Sequence, residues 1–147
     1  MRAVLTCLLL VAPLTAGCGS AGQSEWSDPA PTPAVAVVHR TMGGGHVATE
    51  ATAVGTPERL TAYLRPLSPG LRRAVRAAVR AAARTVPDAG GNLVAQVVAV
   101  GCDPVERARV VVTRGTVRIQ PVAPATPHAE CLAPVTSVAL GVVHPQQ

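Results

Sequence analysis

The chain has almost nothing aromatic from which to build a core. Its 147 residues contain no Phe, one Trp (Trp26) and one Tyr (Tyr63). The core must therefore come from Val, Leu, Ala and the single Ile119. Branched aliphatics fill space in small increments, so the expectation is a small, valine-rich core in one domain. A core of that kind is marginal at this size and gains from a covalent staple.

Pattern and punctuation place the elements. Residues 35–38 (VAVV) form a short β-branched run that reads as a strand. Gly43, Gly44 and Gly45 then suggest a hairpin loop leading to a second strand over residues 47–54. No Lys-Ser/Thr follows the glycines, so they are not a phosphate loop. Thr56-Pro57-Glu58 is a helix start, an N-cap followed by Pro at the first helical position, and Pro66 ends that helix. Ser68-Pro69 repeats the signal and opens a longer helix to about residue 86, which Pro87 and the Gly90-Gly91 pair stop.

The last third is β-rich. Residues 93–100 are one run, and residues 109–113 and 116–120 flank Arg114-Gly115, which reads as a tight hairpin. Residues 135–143 are the final strand, with Val138, Leu140 and Val142 expected on its buried face and Ser137 and Gly141 opposite. Strands grouped apart from helices argue for an α+β fold: a small antiparallel sheet packed against one long Arg/Ala-rich helix and one short helix.

The N-terminal stretch has a different character. Arg2 precedes an apolar run over residues 3–14, too short to span a bilayer and suited to a signal peptide. Leu14-Thr15-Ala16-Gly17-Cys18 resembles the lipobox of bacterial lipoproteins. In that family a diacylglyceryl group alkylates the cysteine sulfur and a peptidase cuts just before it. The resemblance implies lipidation at Cys18, a mature chain anchored on the outer face of the bacterial cell membrane, and nothing about the fold behind it. The alternative is an ordinary secretory peptide cut after Gly17. Residues 1–17 are thus read as signal peptide, residues 18–34 (CGSAGQSEWSDPAPTPA) as a Pro/Ser/Gly tether and residues 35–147 as one domain. Trp26 in the tether suits either a membrane interface or a docked position.

Cysteine arithmetic bears on both points. Of four cysteines, Cys7 lies inside the apolar run, and Cys102 and Cys131 suit a disulfide in an exported chain, leaving Cys18 needing another fate. Closing a loop of roughly 30 residues is worth about 3–4 kcal/mol. A redox or metal-binding thiol is the other reading, although no C-x-x-C spacing occurs.

All 13 basic residues are Arg, and the net charge is +5. Five of them fall on the longer helix. On a helical wheel Arg72, Arg73, Arg76, Arg80 and Arg84 occupy an arc of about 120°, opposite Leu71, Val75, Ala78, Val79, Ala82 and Val86. No acid interrupts them, and like charges four residues apart repel. The face is either a solvated surface or a site for anionic lipid, a wall polymer or an acidic protein. On compartment grounds alone, nucleic acid is not the expected partner of an exported chain.

Motifs for chemistry are sparse. His39, His46, His128 and His144 form no recognised metal spacing, and no H-E-x-x-H or G-x-S-x-G is present. Asp103 and Glu130 flank the two cysteines, where they suit a cation site or, better, turns beside Arg107 and Arg109. No catalytic residue, cofactor or metal is therefore expected. The favoured reading is a non-enzymatic binding or accessory module. The competing reading is a cell-envelope enzyme whose site is assembled only by the fold.

Overall fold

A computed structural model describes residues 30–85, 91–124 and 130–144. The lipobox, Trp26, Val86, Pro87, Gly90 and His128 lie outside the described residues.

Among the described residues seven strands and two helices occur, in the order β1 (Thr32–Pro33), β2 (Ala36–Thr41), β3 (Thr52–Ala53), α1 (Pro57–Leu64), α2 (Pro69–Thr85), β4 (Asn92–Gly101), β5 (Ala108–Thr113), β6 (Thr116–Pro121) and β7 (Val135–Val143). They form two antiparallel sheets, β2-β7-β4-β3 and β1-β5-β6. The α+β class is as expected, but the single sheet is not. The helices cover one face of the four-stranded sheet and the three-stranded sheet covers the other.

The cause is visible in β4 and β7. Apart from Asn92 and Gln96 their side chains are apolar or small in both phases of the alternation, so each strand has two faces to bury. Val97, Val138 and Leu140 pack with Leu64, Leu67, Leu71, Val75 and Val79 of the helical layer. Val94, Val98 and Ala139 pack with Ala108, Val110 and Ile119 of the second sheet and with Val105 of the β4–β5 connection. The expected outward face of β7 is therefore buried as well, with Ser137 and Gly141 inside. Gly141 is the notch that permits this, because a Cβ there would collide with Val110.

Two buried polar side chains join the sheets. Gln96 accepts from the Ile119 N–H at 2.6 Å and donates to the Ala48 carbonyl at 2.7 Å. The Ser137 hydroxyl accepts from the Val105 N–H at 3.0 Å. Each meets the requirement that buried polar groups be hydrogen-bonded.

The hairpin expected around Gly43–45 does not form. β2 and β3 lie on opposite edges of the four-stranded sheet, and of residues 47–54 only Thr52–Ala53 are a strand, paired with β4. The glycines instead let the chain pass beneath the α1–α2 junction. The Gly43 carbonyl accepts from the Ser68 N–H at 2.6 Å, and a Cβ on Gly43 would sit 2.7 Å from Thr136 Cβ. Gly44 and Gly45 have φ of +70° and +78°, a region that favours glycine.

The helix starts are as read. The Thr56 hydroxyl accepts from the Arg59 N–H at 3.4 Å, and Pro57 opens α1. The Ser68 hydroxyl faces the Leu71 N–H at 3.5 Å at the start of α2. The β5–β6 turn also forms at Arg114-Gly115, both with positive φ. Order begins earlier than residue 35. Thr32 and Pro33, within the stretch read as tether, pair with β5. Pro33 fits because its neighbours' main-chain groups face β5 and its own nitrogen faces away.

Candidate functional site

The outer face of α2 is the most strongly charged surface that the sequence singles out. Leu71, Val75, Val79 and Ala82 turn inward and are buried, which fixes the helix's rotation. Arg73, Arg76, Arg80 and Arg84 are then exposed on the opposite side. Successive members stand three or four residues apart, so the stripe runs about 16 Å along the axis. Among the described residues no carboxylate forms an ion pair with any of these four.

Arg72 is different, and the sequence gives no hint of it. Its Nε donates to the Leu67 carbonyl at 2.6 Å and its Nη2 to the Arg65 carbonyl at 2.7 Å. Arg65 is the C-cap of α1 and Leu67 lies in the connection to α2, where carbonyls lack the donors that a continuing helix would supply. Arg72 therefore closes α1 onto α2 and leaves the binding set. Wheel geometry groups it with the others because a wheel carries no information about the neighbouring helix.

The cysteine pair is formed. Cys102 and Cys131 are disulfide-bonded with Cα atoms 5.1 Å apart and a sequence separation of 29. The bond sits where β4 ends and just before β7 begins, beside the Gly101–Val135 pair of the ladder. Cys18 is outside the described residues.

The candidate chemical groups are dispersed. His39 is half-buried on β2, while His46 and His144 are exposed. Glu50, Glu58, Glu106 and Glu130 are exposed and Asp103 is half-buried. Among the described residues no three of His, Cys, Asp and Glu gather in a metal-holding cluster.

A second feature was not legible in the sequence. A cleft of about 620 Å³ opens where the chain passes from β1 to β2, lined by Pro31 and residues 33–37 on one wall and residues 106–109 with Val122 on the other. Arg107 and Arg109 stand on it with Glu106. The alternation of Arg107 and Arg109 about buried Ala108 puts both on one side of β5, but nothing in sequence places residues 31–37 opposite them. No protein-family model, curated protein or solved structure matches the chain.

Proposed function

We propose that this chain is an exported lipoprotein, held on the outer face of the bacterial membrane by a diacylglyceryl group on Cys18. In this reading its folded part is a non-enzymatic binding or accessory module, and α2 is its long arginine- and alanine-rich helix, presented to anionic lipid headgroups. The observation that carries the binding half is the stripe of Arg73, Arg76, Arg80 and Arg84, exposed and without an ion pair among the described residues. Like charges at that spacing repel, and an anionic surface removes the repulsion. The anchoring half is supported by the lipobox resemblance and by the disulfide, which occupies Cys102 and Cys131. Among the described residues no helix is long and apolar enough to cross a membrane. A diacylglyceryl group supplies the two chains that firm attachment needs.

Two measurements separate the halves. Cys18→Ser should move the protein from the membrane fraction to the soluble one; continued pelleting with membranes would refute the anchor. The soluble Cys18→Ser protein should then bind vesicles containing anionic lipid and ignore neutral ones. Each arginine near the surface contributes about 1 kcal/mol, so four give roughly a thousandfold preference at low salt. Arg76→Glu combined with Arg80→Glu and Arg84→Glu should abolish it. Equal binding to neutral and anionic vesicles would end the headgroup assignment.

A further inference from the structure

The chain from Thr32 to Thr41 serves both sheets, and its hydrogen bonds change direction at the corner between them. The Ala34 N–H donates to the Ala108 carbonyl at 2.9 Å, and the next N–H, that of Val35, donates to the Leu140 carbonyl at 2.9 Å. From there β7 takes the even-numbered residues. Ala36, Val38 and Arg40 stand opposite Leu140, Val138 and Thr136, and the Met42 N–H reaches the Pro134 carbonyl at 2.8 Å. In an antiparallel ladder the intervening residues turn their main-chain groups the other way. The N–H and C=O groups of Val37, His39 and Thr41 therefore face outward from β2, the end strand of its sheet. Among the described residues the one hydrogen bond on that side comes from Arg40 Nη1 to the His39 carbonyl, at 3.3 Å.

β5 begins beside this edge without closing it. Its Ala108 and Val110 serve β1, and the Arg107 carbonyl accepts from the Val122 N–H on the far side at 2.8 Å. The space left between is the 620 Å³ cleft, with Val35, Ala36 and Val37 on one wall. Its charge is predominantly positive: Arg107 and Arg109 stand on the other wall against the single acid Glu106, while exposed Arg40 lies further along β2, outside the cleft.

We propose that this edge binds an extended, acidic segment of a partner protein as an added strand. Main-chain groups on alternate residues, unpaired among the described residues apart from the His39 carbonyl, supply the ladder, the valine-lined wall receives alternate side chains, and the arginines receive carboxylates. Residues 36–41 contain no proline to block a new neighbour. A second copy of this chain is the poorer occupant, since edge-to-edge pairing brings two Arg40 side chains and two arginine-bearing walls together.

The test uses the full chain carrying Cys18→Ser, without lipid, so its outcome is independent of the membrane assignments. The probe is a blocked, dye-labelled peptide alternating glutamate and valine, followed by fluorescence anisotropy, with the lysine–valine peptide as comparison. The acidic peptide should bind at least tenfold more tightly. His39→Pro removes an outward N–H while sparing the β7 ladder, so it should weaken binding tenfold or more with an unchanged unfolding midpoint. Should that variant not fold, the probe carries the test alone. N-methylating either all valine amides or all glutamate amides should weaken one peptide at least tenfold more than the other, because only one set faces β2. Equal binding of the two charge types, indifference to which amides are methylated, or a dimer of the chain that His39→Pro dissociates would each overturn the proposal.

Discussion

Tyr63 is the only Phe, Trp or Tyr among the described residues, and its hydroxyl is buried without a hydrogen-bond partner. Burial of that group holds the phenol neutral and raises its pKa above the ordinary 10.0. The folded state therefore keeps its proton where the unfolded chain loses it. The resulting stability is present below about pH 10 and is lost as the pH climbs through the raised value. Tyr63→Phe keeps the ring among Leu60 and its neighbours and removes the unsatisfied hydroxyl. It should stabilise the protein by about 1 kcal/mol in urea denaturation and flatten the alkaline loss. A destabilisation of the same size would show that the hydroxyl has a partner. Gln96 is the opposite case, a buried polar group that is fully used. It interrupts the apolar run 93–100, and nothing local says why, since its partners Ala48 and Ile119 are distant in sequence. Helix caps such as Thr56 are legible because both partners lie within one turn. Long-range polar stitching is not.

At the level of elements, α2 separates two kinds of arginine. Arg72→Ala should cost about 1–2 kcal/mol, because two carbonyls of the α1–α2 junction lose a charged donor. Arg80→Ala should leave the unfolding midpoint within about 0.5 kcal/mol or raise it slightly, because it relieves like-charge neighbours. Comparable losses in chemical denaturation for the two variants would contradict this division. Much else at this scale was readable. Both helices, the β5–β6 hairpin and the bounds of β7 follow from caps, turn residues and alternation. Gly43–45 misled, because three glycines signal conformational freedom without saying what it serves. Here it serves a close crossing under Ser68 rather than a reversal between paired strands. The second sheet was hidden for a related reason. β7 was given one buried face because Ser137 and Gly141 look like surface residues, whereas one bonds Val105 and the other makes room for Val110. The arginine stripe was legible as a face, but Arg72's exclusion from it and the β2–β5 cleft depend on tertiary neighbours.

For the molecule as a whole, a core of valine, leucine and alanine is divided into two thin layers on either side of β4 and β7. The helix-side layer has one aromatic, the partly buried Tyr63, and the other has none among the described residues, so the disulfide carries an unusual share of the stability. Cys102→Ser with Cys131→Ser should lower the unfolding free energy by about 3–4 kcal/mol, measured against the oxidised protein in urea. The same loss should follow addition of reductant to the native chain. An unchanged midpoint would mean that the packed layers alone hold the fold. The position of that bond has another consequence. β5 and β6 both lie between Cys102 and Cys131, so the excursion that makes most of the second sheet leaves and returns through two Cα atoms 5.1 Å apart. It is a cassette with fixed ends. Its Arg114-Gly115 tip is exposed, so foreign peptide grafted there would be displayed on a covalently closed stalk while β4 and β7 stay in register.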